Sequence, residues 1–444
     1  MERNTIGIGA LTAIILFCVI ILAGCTGSPD SKVTPGLTPT QQATTGIPQV
    51  TSSSGPDSGS EKNIADANNR FATELYRQLA QDPDNDGMNI FFSPFSISSA
   101  LAITYEGARG TTADEIQSVF HFPVNDSERR LGFSRIINGI NRGDARYTLR
   151  TANALWAEKT YPFLTDYTDT ADRWYAAKTT NLDFINKPED SRLTINQWVD
   201  EKTNNRIKDL IPAGAIDPMV RLVITNAVYF KGTWVKQFDI NRTTDADFRA
   251  HGEKTTRVPM MERTDENAIF RYAETDDLKV LEMPYEHTSG KQLSMLVLLP
   301  KSNNISVAES TLDPKALPLI TAKLESQRVK VWFPKFKMET EYRLPATLIP
   351  LGMPTAFSPA ADFSGMDGTK DLFISDVIHK AFVDVNEEGT EAAAATAVII
   401  KLSASPPENP IPEFRADHPF LFLIQDNETG AILFIGRVVN PAGV

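Results

Sequence analysis

The chain has 444 residues, 41% of them apolar, enough to bury a large core in one big domain or two modest ones. Lys and Arg number 44 against 56 Asp and Glu, and the resulting net charge of −12 argues against nucleic acid as a partner. The two cysteines, Cys18 and Cys25, both stand close to the N-terminus, so the body of the chain carries neither disulfide nor thiolate chemistry.

Arg3 is followed by an almost wholly apolar run over residues 6–23, the character of a signal-peptide h-region. The run ends in Leu22-Ala23-Gly24-Cys25, which resembles a lipobox, where small residues precede a cysteine whose thiol receives a lipid. On this reading residues 1–24 are a signal peptide and Cys25 is the lipid attachment site. The alternative is an uncleaved anchor, since the run approaches the ~20 residues that a membrane span needs. Either way the body is expected outside the cell, anchored to the outer face of the membrane. Residues 25–61 read as a flexible tether, rich in Ser, Thr and Pro and too poor in large apolar side chains to offset chain entropy.

Folding signals begin near Lys62. Phe71, Leu75 and Leu79 recur at helical spacing and predict a helix over 64–81. Asp82-Pro83-Asp84-Asn85-Asp86-Gly87 matches the first half of a calcium loop, but the twelfth place, which needs a bidentate Glu, is Ser93. A polar turn is the expectation there. Thr112-Ala113-Asp114-Glu115 reads as a capping box ahead of Ile116 and Phe120. Further on, 222–230, 293–299, 329–336, 421–424 and 432–438 read as strands, short and rich in Val, Ile, Leu and Phe. Helices dominate the first half and strands the second. No Pro/Gly-rich linker divides residues 62–444, so these form one α+β domain.

Enzyme signatures are missing. His121, His251, His287, His379 and His418 form no HExxH, and no cysteine is left in the domain to complete a zinc site. There is no G-x-S-x-G and no P-loop. No metal, cofactor or catalytic activity is expected. Four N-x-S/T sequons, at Asn125, Asn241, Asn304 and Asn427, fit an extracellular body.

The segment 387–400, Glu-Glu-Gly-Thr-Glu-Ala-Ala-Ala-Ala-Thr-Ala-Val-Ile-Ile, is too apolar for a free linker and unpatterned for a packed helix. A strand over 380–385 leads into it, and Pro406, Pro407, Pro410 and Pro412 follow. The run from His379 to Thr396 resembles the breach and hinge signature of the serpin family. So do four other blocks in family order. Asn89-Ile90-Phe91-Phe92-Ser93-Pro94-Phe95-Ser96-Ile97-Ser98 is similar to the shutter segment, and Thr225-Asn226-Ala227-Val228-Tyr229-Phe230-Lys231-Gly232-Thr233-Trp234 to the top of the main sheet. Ala416-Asp417-His418-Pro419-Phe420 and Phe434-Ile435-Gly436-Arg437-Val438 are similar to the C-terminal strands.

This resemblance implies a serpin fold, several helices on three β-sheets with an exposed reactive loop, and a single-use inhibitor of serine proteases acting as a monomer. A protease cleaves the loop and forms an acyl-enzyme, and the freed loop inserts into the main sheet and carries the protease with it. The alternative is a binding or structural protein on the same fold that never inserts its loop. About 14 residues at ~3.3 Å each make ~46 Å of new strand. The implied hinge is Glu387, Gly389, Thr390, Glu391, Ala392, Ala393, Ala394, Ala395 and Thr396. Alternation places Thr390, Ala392, Ala394 and Thr396 on the core-facing side and Glu391 on the wet side. Gly389 is expected to relax the hinge turn. No proline interrupts residues 389–401, as insertion requires. The resemblance further implies that Ser93, Ser96, Asn226 and His379 form a hydrogen-bonded shutter and breach; Phe230 and Trp234 read as core. Counting from Gly389 as in the family, the resemblance implies a reactive bond at Ser403-Ala404, with Leu402 as the alternative bait. These side chains suit a protease with a small or apolar primary pocket, of elastase, subtilisin or chymotrypsin type.

Overall fold

The computed structural model describes residues 58–390 and 410–442. Its first half holds helices α1 (Ser58–Gln81), α2 (Pro94–Gly107), α3 (Gly110–Phe120), α4 (Asp126–Asn141), α5 (Thr165–Tyr175) and α6 (Pro188–Lys202), with strands β1 (Ile90–Phe92), β2 (Tyr147–Glu158) and β3 (Lys178–Leu182). There follow β4 (Leu222–Thr233), β5 (Thr244–Arg249), β6 (Thr255–Arg263), β7 (Ile269–Glu274), β8 (Leu278–Pro284) and β9 (Leu293–Pro300). The last strands are β10 (Glu325–Arg328), β11 (Lys330–Pro334), β12 (Phe336–Arg343), β13 (Ile378–Val385), β14 (Gly389–Thr390), β15 (Glu413–Arg415), β16 (Phe420–Asp426) and β17 (Ile432–Val438).

These strands make three sheets. One runs β1-β17-β16-β9-β8-β7-β10, a second β15-β11-β6-β5, and the third β12-β13-β14-β4-β2-β3. The fold is α+β. The core lies between the first and third sheets, where the Phe336 ring of β12 meets Phe422 of β16 at 5.4 Å and Phe230 of β4 faces Phe434 of β17 at 6.3 Å. β9 is buried along its whole length, which explains a sequence that is apolar at every position but Ser294.

Several boundaries differ from the sequence reading for physical reasons. The stretch 329–336 is two strands, not one. Pro334 closes β11 in the four-stranded sheet, and after Lys335 the chain enters β12 of the six-stranded sheet. β2, twelve residues long, lies in the half read as helical, because polar residues break up its apolar pattern. Thr112 is no cap: α3 starts at Gly110, and the Thr112 hydroxyl accepts from the Asp362 N–H instead. Its intended partner Glu115 holds the N–H and hydroxyl of Thr355. The Asp82–Gly87 stretch is a polar turn around a short 3-10 helix at Pro83–Asn85.

Helix α6 and the connection that follows it lie on the outer face of the six-stranded sheet. Ile195, Ile211 and Ile216 pack with Ala154 and Trp156 of β2. Val199, Ile207 and Leu210 form a second cluster, against Ile378 of β13.

Candidate functional site

The six-stranded sheet is irregular at its centre. β14 is only two residues long, yet it stands between β13 and β4 and pairs with both: Thr390 with Val385 on one side, Gly389 with Thr233 and Thr390 with Gly232 on the other. Among the described residues, no ladder joins β13 to β4 below this point. The sheet thus has the first rung of a central strand, and the neighbours on either side run on past it.

The rung is seated by a dense set of contacts. A tight turn, with Asn386 N–H donating to the Gly389 carbonyl at 2.9 Å, reverses the chain between β13 and β14. Trp234 N–H donates to Glu388 O and Phe238 N–H to Glu387 O, both at 2.8 Å, and Trp234 Nε1–H donates to Asn386 O at 3.1 Å. Thr390 is 1% exposed, and its Oγ1 is hydrogen-bonded to Tyr285 Oη at 2.8 Å. Burial pushes the Tyr285 phenol up, so it remains a neutral hydrogen-bonding group. Trp234 stacks on Tyr285 at 4.4 Å, and Phe230 meets the same ring edge-on at 4.7 Å.

Two glycines make room for this. A Cβ on Gly232 would lie 2.6 Å from the Phe230 ring and 2.7 Å from that of Tyr285. A Cβ on Gly389 would lie 1.9 Å from the Gly232 carbonyl oxygen. Close strand approach is thus a demand on Gly389 beyond its place in the turn from Asn386, and one the sequence reading did not include. Glu387, 5% exposed, accepts from the Thr243 hydroxyl at 2.8 Å and pairs with Lys335 at 2.8 Å. Burial raises its carboxyl, but Lys335 and Thr243 outweigh that and hold it below the usual range.

Lower in the sheet, the N-terminal turn of α2 holds the second group. Ser93 caps the helix, its Oγ accepting from Ser96 N–H and donating to Leu433 O at 2.7 Å. Ser93 N–H donates to His379 Nε2 of β13 at 3.0 Å. The Ser96 hydroxyl donates to Asn226 Oδ1 of β4, whose amide donates to Asn153 Oδ1 of β2; Asn153 in turn donates to Tyr175 O at 2.6 Å. Burial drives the His379 imidazole down to about 4. One helix end is thus bonded to both strands that flank the sheet's centre.

The structure brings Ser93 together with His379 and Ser96 with Asn226. It places Trp234 with Glu387, Gly389 and Thr390 at the hinge, where Trp234 and Phe230 are both buried. Glu391, Ala392, Ala393, Ala394, Ala395, Thr396, Leu402, Ser403, Ala404 and Cys25 lie outside the described residues. Asn153, Tyr285, Thr243 and Lys335 escape a sequence reading, because each reaches the site over a long chain separation and belongs to no local motif.

Residues 66–441 match the serpin (serine protease inhibitor) family. The chain belongs to the serpin family. An uncharacterised serpin-like protein of Methanosarcina acetivorans is 43% identical over 97% of this chain and 98% of its own length. The leukocyte elastase inhibitor of Bos taurus is 43% identical over 85% of this chain and 99% of its own. Among solved structures, a loop-inserted, cleaved ovalbumin mutant superposes with a TM-score of 0.75 at 31% identity, covering 85% of this serpin and all of that chain.

Proposed function

We propose that this serpin inhibits an extracellular serine protease by a suicide-substrate route in which residues from Glu391 onward enter the six-stranded sheet between β13 and β4. The observation that carries this reading is the docked rung Gly389–Thr390, continued by no ladder between its two neighbours among the described residues. Extending the observed register puts Ala392 between Phe230 and Val383, Ala394 between Val228 and Ala381, and Thr396 between Asn226 and His379. Small side chains suit the first two positions, which face packed core. A hydroxyl suits the third, which faces polar groups. On the proposed insertion Glu391 would face outward, where its charge would stay hydrated. The similarity to leukocyte elastase inhibitors fits a target with a small or apolar primary pocket, and we place the reactive bond at Ser403-Ala404, with Leu402 as the neighbouring alternative. We assign the lipid to Cys25, the tether to residues 25–61 and the inhibitory domain to residues 62–444, on the outer face of the cell membrane.

The test is a panel of elastase-, subtilisin- and chymotrypsin-like proteases run with residues 62–444 on denaturing gels. A covalent complex that survives SDS is expected with at least one of them. Thr390→Arg is expected to convert the same protein into a substrate, because the first rung would then bury an unpaired charge. Cleavage by every active protease without any complex would sink the inhibitory reading and leave a binding protein on the same fold.

A further inference from the structure

Asp144 lies in the connection between α4 and β2, and its carboxylate is held by backbone and hydroxyl donors. Oδ2 accepts from the N–H groups of Thr288, Ser289 and Gly290 at 2.8, 2.9 and 2.8 Å and from the Thr288 hydroxyl at 2.9 Å. Oδ1 accepts from Arg146 N–H at 2.7 Å. Burial raises this carboxyl, and the backbone donors more than reverse it, so it stays ionised well below the usual range. The turn it gathers joins β8 to β9 and begins with Tyr285, the residue bonded to Thr390.

The turn is tied to the hinge seat by short covalent and hydrogen-bonded steps. Glu286 N–H donates to Thr233 O at 2.8 Å, Val235 N–H donates to Pro284 O at 3.0 Å, and Tyr285 bridges to Trp234. Thr233 is the partner of Gly389. Arg146 crosses between the same two segments to Glu286 at 3.5 Å. Gly290 shows how closely they approach: a Cβ there would sit 2.3 Å from Tyr147 Oη and 2.9 Å from Asp144 Cβ. Tyr147 itself pairs with Gly232, which pairs with Thr390. Asp144 therefore stands at one end of a contiguous path whose other end is Thr390, the docked first rung.

We propose that Asp144 is a positioning residue for loop insertion: by gathering the 288–290 turn it holds Tyr285 over Gly232 and keeps Thr390 docked between β4 and β13. Its consequence for protease trapping rests on the inhibitory reading above; the coupling of turn to hinge does not. Asp144→Ala, made in the full chain, is expected to speed amide exchange at Thr288, Ser289 and Gly290 and, about ten-fold, at Gly389, Thr390 and Trp234. Asp144→Asn should fall between, since its amide oxygen still accepts but without charge. Gly290→Ala pushes the turn away while leaving the carboxylate in place, and should give the same hinge signature if Asp144→Ala fails to fold. With a protease that the wild type traps, Asp144→Ala and Gly290→Ala should release more cleaved inhibitor per complex. Freed turn amides beside unchanged exchange at 389, 390 and 234 would overturn the coupling, and so would turn amides that Asp144→Ala leaves protected. A wild type that traps no protease would sink the inhibitory reading alone, because the exchange measurement decides the coupling without any protease.

Discussion

His379 accepts from the Ser93 amide at the point where α2 meets β13, and it is buried as a neutral ring. Burial moves its folded value from 6.5 to about 4, so the unfolded chain takes up the proton first as pH falls. The neutral ring's contribution is complete above pH 6.5 and is lost progressively as pH drops toward 4. A shift of this size corresponds to about 3 kcal/mol. His379→Gln keeps an acceptor for Ser93 and removes the titration. Urea melts at pH 7 and pH 4.5 should show the wild type losing more stability than the variant, by an amount of that order. Equal losses would mean that other groups, such as the Lys335-paired Glu387, govern the acid limb. At this scale the sequence was a good guide to Thr390, whose burial follows from strand alternation. It gave only part of the reason for Gly389, because the Gly232 carbonyl across the ladder also leaves no room for a Cβ. Tyr285 and Asn153 were invisible: a single tyrosine or asparagine does not announce a partner more than a hundred or about seventy residues away.

At the scale of elements, α6 and the connection after it bridge the two strands that must separate for a new strand to enter. On the β2 side the hold is apolar, with Trp198 edge-on to Trp156 at 5.4 Å and Ile195, Ile211 and Ile216 buried beside them. On the β13 side the small cluster of Val199, Ile207 and Leu210 against Ile378 is joined by polar contacts. Lys380 Nζ donates to the carbonyls of Lys208 and Asp209 at 3.2 and 3.1 Å and pairs with Glu341, and Arg206 lies over the Phe382 ring at 5.3 Å. That half of the connection also carries Asn204, Asn205 and Asp209 at φ of 52°, 60° and 47°, a left-handed backbone tolerated by these residue types at some cost. Opening should therefore break the β13 contacts and leave α6 riding on β2 and β4. Lys380→Ala is expected to raise amide exchange over 203–210 and to speed, several-fold, uptake of a synthetic peptide copying residues 390–401. Unchanged uptake would show that this strap does not limit opening. None of this was legible in the sequence. α6 is a polar amphipathic helix like many others, and where it lies is decided by which sheet face is left uncovered.

The whole molecule presents a sheet whose central strand has started and, among the described residues, goes no further than Thr390. Cutting a surface loop ordinarily leaves stability unchanged or lowers it, since the unfolded chain gains freedom. Here cleavage between Leu402 and Ala404 should do the opposite. The observed register would carry a freed segment past β4 as far as Leu222 and past β13 as far as Ile378, so residues 391–397 would gain ladder bonds on both sides and residues 398–400 on the β4 side. It also covers the core-facing row Phe230, Val228, Ala381 and Val383 with small apolar side chains, and no proline interrupts the ladder. The cut removes the only covalent restraint on that rearrangement, the connection from the hinge to β15. Calorimetric scans of intact and loop-cleaved protein are expected to differ by at least about 10 °C in Tm, the cleaved form melting higher. Asp144→Ala should melt lower than wild type before cleavage and approach it afterwards, because a completed central strand no longer depends on Tyr285 to hold its first rung. Equal or lower Tm after cleavage would show that the open centre of the sheet stores nothing usable. Covalent trapping would then have no driving force, whatever the protease.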